Sequence, residues 1–498
     1  MLISKTTFLD ALNCPKNTWL KLHDPHLLEG CVLSDFERHI MEQGNEVEAH
    51  ARFLFLDGIE VATTGEDAQK ETARLMEQKA PALFQATFIT DGFIARNDVL
   101  TYDADTNNWN LYEVKGSNSL KEEGMSDRDH ITDLAFQAVV LKRSNVPVGR
   151  YFVIHLNKEY VRSGALDIKA LFTVDDVTDK VLARMPEVEP QMEGTREYLL
   201  RTDEPKGACD CVYKGRKKHC TTFQYSNPNV PEYSVHDISR ISEKKLNLFV
   251  ERGIYDLKDI PEDFELTKNQ KNQVQAYKKQ EPTIIAEDIK KEIGNLKYPL
   301  YFFDYEAFGP AVPAFNKYSP YRRVPFQFSL HILDAPGAEI RHVEYLHDSR
   351  TDPTDKVAAL LKEHILPGGT VVVWHKSFEA GVNKEIADRL PEYAPFFERV
   401  NASLYDLKDV FQKQFYIHPG FQGRAGLKKV LPVLVPDVRY DGLMIQEGGQ
   451  AADAWWKMVS PETPTAEHEK IAADLKKYCG LDTYAMVVIW EHLCEKIR

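Results

Sequence analysis

Leu300-Tyr301-Phe302-Phe303-Asp304-Tyr305-Glu306 reads as a buried β-strand that ends in two carboxylates. Pro299 punctuates its start and Gly309-Pro310 its end. Asp304 and Glu306 are two apart, so on a strand they share a face. Like charges side by side repel, and burial sharpens the repulsion. A divalent cation between them removes the conflict, and hard carboxylate oxygens suit Mg²⁺ or Mn²⁺. The same pattern also fits a strand end with two solvated acids, and the rest of the chain must decide between the two.

At 498 residues the chain exceeds a single core, and roughly two to four domains are expected. Hydrophobic residues at 43% and aromatics at 11% indicate a folded protein. No bilayer-length stretch is free of charge, and Met1 to Asp10 lacks a basic segment followed by an apolar run. Neither a membrane span nor a secretion signal is therefore expected, and the expected location is cytoplasmic. The net charge of −14 argues against nucleic-acid binding by bulk charge, but not against a local basic groove or a metal-loaded acidic site. Of seven cysteines, three fall within Cys209 to Cys220, a clustering that suggests a metal or redox site before a disulfide framework.

Residues 1 to about 57 have helical spacing. Ser4 or Thr6 can cap a helix bearing Phe8, Leu9 and Leu12, which Cys14-Pro15 interrupts before Trp19-Leu20. A second helix is expected from Ser34 to Phe55, with Ile40, Val47, Ala51 and Leu54 on its apolar side. Glu48 lies on it and, alone, reads as a surface acid. Phe93 to Leu100 and Trp109 to Lys115 read as a hairpin around the turn residues Asp103 to Asn108. Asp98 lies on its first strand; Glu113 and Lys115 share a face of the second. Two carboxylates with a lysine suit a cation site whose lysine orients or deprotonates water, and equally suit a cross-strand ion pair on a solvated face. A helix over Asp129 to Lys142, carrying Gln137, and a strand over Tyr151 to Leu156 follow.

This stretch resembles the PD-(D/E)xK nucleases of the RecB and CRISPR-associated exonuclease type. Gly44-Asn45-Glu46-Val47-Glu48 matches the family's first helix motif, with Glu48 where a histidine often stands. Asp98 matches the second motif and Glu113-Val114-Lys115 matches E-x-K. Gln137 to Leu141 matches Q-x-x-x-Y, with Leu141 in place of the tyrosine. The resemblance implies that Glu48, Asp98 and Glu113 ligate metal, that Lys115 orients water or stabilises charge, and that Gln137 contacts substrate. It also implies an iron–sulfur staple of one early and three late cysteines, here Cys14 with Cys209, Cys211 and Cys220. Four thiolates can hold a [4Fe–4S] cluster or Zn²⁺; the resemblance ranks the cluster first. Lys214, Arg216, Lys217 and Lys218, between Cys211 and Cys220, fit either a phosphate-contacting patch or a solvated loop. Residues 230 to 297 read as a connector with a polar helix from Lys268 to Lys279; a plain helical spacer is the stronger reading and a helix–hairpin–helix element the weaker.

From Leu300 the pattern is α/β. Phe326 to Leu333 and Glu339 to Leu346 read as strands, Asp355 to His364 as a helix, and Thr370 to Trp374 as a buried strand closed by His375 to Glu379. Glu467 to Trp490 reads as one long helix with Tyr478 and Asp482 on one face. This half resembles the DnaQ-like DEDD exonucleases on an RNase H-like fold, as in an uncharacterised bacterial family. Phe303 to Glu306 matches the first motif, His375 to Glu379 the second (with Lys376 for asparagine and Glu379 for aspartate), and Tyr478-x-x-x-Asp482 the third. The resemblance implies that Asp304, Glu306, Glu379 and Asp482 hold two divalent ions while Tyr478 positions water for 3′-to-5′ hydrolysis; Asp406 is a further ligand or a structural acid.

The expected architecture is therefore a PD-(D/E)xK, restriction-endonuclease-like domain with a four-cysteine cluster over residues 1–229, a helical connector over 230–297, and an RNase H-like exonuclease domain over 298–498. The expected activity is a metal-dependent nuclease on DNA or RNA, single-stranded DNA being favoured. A helicase or a defence or repair component is the implied partner. A nucleic-acid-binding scaffold with one or both sites decayed is the competing reading, and Leu141, Lys376 and Glu379 speak for it. A redox protein built on the cysteines is the third.

Overall fold

Thr90-Asp91-Gly92-Phe93 makes the tight turn on which the first sheet is built. Asp91 and Gly92 have φ of 50° and 84°, the left-handed pair that a two-residue hairpin needs to match the twist of its strands. The strands it joins, Ala82–Thr90 and Phe93–Asp103, pair antiparallel. Asn108–Lys115 adds antiparallel to the second, Val148–Leu156 parallel to that, and Phe172–Asp176 antiparallel at the edge. Gly58–Glu60 forms the opposite edge. The chain is described by a computed structural model over residues 1–28, 35–122 and 129–498; Cys31 and the expected helix start at Ser34 lie outside these residues.

The helix His130–Arg143 is capped by Asp129, whose carboxylate accepts from the Thr132 N–H at 2.6 Å. It is buried from His130 to Leu141, and Phe136 stacks on Phe8 and meets Phe93 edge-on. The helix Lys5–Asn13 is capped by Ser4. Cys14 is extended between it and the helix Pro15–His23. A helix over Thr178–Leu199 carries Pro186 and Pro190 inside it, and those prolines hid it from a pattern reading.

The chain divides into two units. The first holds Met1–Val212, His219–Asn227 and Pro310–Tyr321; the second holds Tyr213–Lys218, Pro228–Gly309 and Arg322–Arg498. The expected boundaries differ in three respects, the first being that Tyr213–Lys218 falls in the second unit. The 230–297 segment belongs to the second unit, and its polar helix Lys268–Lys279 buries Gln270 and Gln273. Gln273 donates to the Tyr233 hydroxyl at 2.8 Å and to the Asp237 carbonyl at 2.9 Å, so polar residues pack this helix where a spacer was expected. Residues 310–321 join the first unit, where Arg162 holds the carbonyls of Pro313 and Ala314.

In the second unit the acidic strand Leu300–Phe308 is central. It pairs antiparallel with Val324–Leu333 and parallel with Thr370–Val373; Arg341–Leu346 and Leu404–Asp406 complete the sheet. Leu300 and Phe302 pack with Met486, Ile489 and Leu493 of the long helix Thr465–Lys496, while Tyr301, Phe303 and Tyr305 pack with Val357, Val382 and Phe397 on the other face. The chain is thus mixed α/β, and no helix among the described residues is long and apolar enough to cross a membrane. Phe302, on the acidic strand itself, is fully buried. Phe302→Ala is expected to destabilise the second unit by about 3–5 kcal/mol, as a cavity in a close-packed core does; urea denaturation measures it.

Candidate active site

Strand alternation turns Asp304 and Glu306 toward the long C-terminal helix. Their carboxylates and the Cys479 thiol lie within 4.8 Å of one another. Glu306 and Cys479 are buried and Asp304 is half-buried. Tyr478 and Asp482, one turn apart on the helix, are buried beside them. The Tyr440 hydroxyl donates to Asp482. Lys428 donates to the Tyr478 hydroxyl at 3.0 Å and lies over the rings of Tyr478 and Tyr440. Glu379, in the first turn of the helix Lys376–Arg389, is 2% exposed, and its Oε2 has no hydrogen-bond partner among the described residues.

The electrostatics follow from this crowding. Burial, then repulsion from Asp482, pushes Asp304 well above the carboxylate range. Burial and Asp304 do the same to Glu306. Glu379 is pushed up to about 9, by burial first and Asp304 second. Burial raises Asp482 as well, against the hydrogen bond from Tyr440 and the charge of Lys428. Without a cation, this group keeps protons that isolated carboxylates would lose. Its oxygens suit Mg²⁺ or Mn²⁺, and Cys479 adds a softer donor. Asp406 is near enough to repel Glu379, and its two oxygens accept the backbone N–H groups of Lys376 and Lys408, both at 3.1 Å. Those bonds join the end of its strand to the start of the neighbouring helix, a structural use of the acid.

In the first unit, Glu113 and Lys115 share a face as expected, and their side chains meet at 2.8 Å. Lys5 also binds Glu113, and Asp133 pairs with Lys115. Gln137 donates to the other Glu113 oxygen at 2.6 Å, and Asn97 donates to Gln137. Two lysines thus offset two acids. Burial favours the neutral form of Glu113, but Lys115 and Lys5 outweigh it and hold the carboxyl well below its usual range. Burial likewise opposes the Lys115 charge, yet Glu113 and Asp133 raise it, so this lysine stays protonated and can orient water or stabilise charge but not take a proton. Asp98 accepts from the Val114 N–H at 2.8 Å, and its carboxyl is pushed up to about 7 by burial and then by Glu113. Glu48 is engaged by Arg52 at 2.9 Å and by Gln85, a residue with φ of 59° that lacks a pairing partner between Phe84 and Ala86. Glu48, Asp98 and Glu113 are not among the sets of donor atoms gathered within 4.8 Å.

The four cysteines do gather: the sulfurs of Cys14, Cys209, Cys211 and Cys220 all lie within 4.8 Å of one another. The basic loop between them is partly committed. Arg216 pairs with Asp237 at 2.5 Å, and Lys218 approaches Glu243 at 3.9 Å. Lys217 is exposed and Lys214 half-buried.

Sequence reading missed Lys5, Asp133, Asn97, Gln85, Lys428, Tyr440 and Cys479. Lys5 reaches the first site from a helix 108 positions before Glu113, and Asp133 from the helix that carries Gln137, 18 positions after Lys115. Cys479 carried a local signal, lying three residues before Asp482 on a helix.

Residues 301–426 match a family described as Domain of unknown function (DUF2779). Two uncharacterized proteins are similar: the MG366 homolog of Mycoplasma pneumoniae, 25% identical over 234 residues, and MG366 of Mycoplasma genitalium, 25% identical over 235. Each match covers 43% of this chain and 35% of the relative, so this chain spans about a third of the length of the curated relatives it matches. The family match includes Asp304, Glu306 and Glu379 and ends before Tyr478 and Asp482.

A pH dependence follows for the protein without divalent ions. Glu379 binds its proton more tightly folded than unfolded, so its contribution is full below pH about 4.5 and is lost as the pH rises toward about 9. Asp304 and Glu306 act in the same direction. Stability is expected to fall from pH 6 to pH 9, and less steeply in Glu379→Gln, whose amide stays neutral. Thermal melts with Mg²⁺ and Mn²⁺ withheld measure both slopes; about 1 kcal/mol is roughly 2–4 °C in a unit of this size.

Proposed function

We propose that the chain is a metal-dependent nuclease whose catalysis resides in the acidic site of the second unit. The observation that carries this reading is the convergence of Asp304 and Glu306, from the central strand, with Tyr478 and Asp482, from the C-terminal helix. The unpartnered, buried Glu379 oxygen beside Asp304 supports it, since a buried carboxylate oxygen without a donor wants a cation. A mixed sheet with the acidic strand at its centre suits the RNase H-like, DEDD exonuclease resemblance.

Asp304, Glu306, Glu379 and Asp482 would hold Mg²⁺ or Mn²⁺. When bound, the ions supply an activated water and offset charge on the leaving oxygen. Tyr478, its hydroxyl held by Lys428, orients the attacking water. Lys428 sets positive charge beside the carboxylates, where a scissile phosphate would otherwise meet only acids. The product set is nucleotides released from a 3′ end. Single-stranded DNA is the favoured substrate and RNA the alternative, with a helicase or a defence or repair component as partner class and the cytoplasm as location.

A specific observation favours the scaffold reading for the first unit. Its acids are already compensated by protein cations, Glu113 by Lys5 and Lys115, Glu48 by Arg52. A divalent ion there has to displace these ion pairs. The PD-(D/E)xK-like unit then binds nucleic acid and the DEDD-like unit cuts it.

Digestion of 5′-labelled and 3′-labelled single-stranded DNA and RNA with Mg²⁺ or Mn²⁺ tests the assignment. Stepwise shortening from the 3′ end is expected, reduced by about 100-fold or more in Asp304→Asn and retained in Glu113→Gln. Tyr478→Phe and Lys428→Met should lower the rate without abolishing binding. Binding without cleavage by metal-loaded wild type would replace the enzyme reading by the scaffold one for both units.

A further inference from the structure

Four sulfurs that share one ion are spaced differently from four sulfurs that each hold an iron of their own. In the first unit Cys14 is presented by the extended residue between two helices, and Cys209, Cys211 and Cys220 by one loop. All four are unbonded thiols, Cys209 and Cys220 being 3.8 Å apart and every pair within 4.8 Å. A tetrahedron of thiolates around Zn²⁺, with Zn–S of about 2.3 Å, has S···S edges of about 3.8 Å. In a [4Fe–4S] cluster each thiolate binds a different iron, so an iron–iron spacing lengthens every edge and a sulfide core must fit between the ligands. Sulfurs this close leave no space for that core.

We propose that the four-cysteine centre binds a single Zn²⁺ ion as a closed structural site, and not the [4Fe–4S] cluster that the family resemblance implies. All four positions around the ion are filled by cysteine, leaving none for water or substrate, which is the character of structural zinc. Asn227 donates to the Cys209 sulfur at 3.3 Å, a bond of the kind that orients a ligand and stabilises its charge. The ion closes a long loop by tying residue 14 to residues 209–220. It does not act alone there. The Asn17 side-chain amide oxygen accepts from the Thr222 N–H at 3.0 Å and from the hydroxyls of Thr221 and Thr222, and the Trp19 indole donates to the Arg201 backbone carbonyl at 3.0 Å. Loss of the ion therefore loosens this corner without unfolding the unit. The inference is independent of the nuclease reading.

Metal and acid-labile sulfide analysis of the full chain, purified without oxygen from a medium containing both iron and zinc, tests it. One zinc per chain, no sulfide and no visible charge-transfer absorption are expected. Stripped protein should take up one Co²⁺ with the intense visible bands of a tetrahedral thiolate site. Cys211→Ser should lose the zinc and exchange amide hydrogens faster over residues 5–23 and 209–227, with the rest of the first unit unchanged. Four irons with four sulfides and a brown colour would overturn the proposal. So would failure of the stripped protein to bind Zn²⁺, or full zinc content in Cys211→Ser.

Discussion

Buried like charge is the constraint around which the second unit is arranged. A strand inside a sheet puts Asp304 and Glu306 on one face, and the C-terminal helix adds Asp482 to them. Everything nearby reads as a response to that crowding. Tyr440 donates to Asp482, Lys428 brings its charge between two tyrosine rings, and the remaining imbalance is met by retained protons or by a cation. The aliphatic and aromatic packing on both faces of the strand keeps the acids from relaxing away from each other.

The first unit meets a similar accumulation of acids in a different way. Lys5 and Lys115 lie among Glu113 and Asp133, and Gln137 satisfies the remaining Glu113 oxygen. Cations supplied by the protein make this cluster nearly neutral, whereas the second unit leaves its cluster acidic. That difference in charge balance, more than either motif, separates the two clusters: one leaves its acids crowded together and the other pairs them with its own lysines. The four cysteine sulfurs, all within 4.8 Å of one another, form a third cluster, one that could hold a metal.

Much of this was legible residue by residue. Tyr478 and Asp482 are four apart in a helical pattern, Glu113 and Lys115 two apart in a strand, and the acidic strand is bounded by Pro299 and Gly309-Pro310; local periodicity decides all three. The Asp91-Gly92 turn, among the strongest short hairpin signals, marks the strand Ala82–Thr90 as the partner of Phe93–Asp103. The helix Thr178–Leu199 was hidden by its two prolines. The polar helix Lys268–Lys279 passed for a spacer because buried glutamines bonded to backbone look, in sequence, like solvated ones.

By itself the sequence determined the alternation that aims each pair of acids, the caps and turns that start and stop the elements, and the presence of four thiols in two places along the chain. These are local properties, set by backbone periods of two and 3.6 residues. Only the tertiary structure decided which charges meet. Lys5 reaches Glu113 across 108 positions, Tyr440 reaches Asp482 across 42, and Cys14 joins a loop nearly two hundred residues later. Electrostatic energy depends on distance in space and on burial, and neither can be read from separation along the chain.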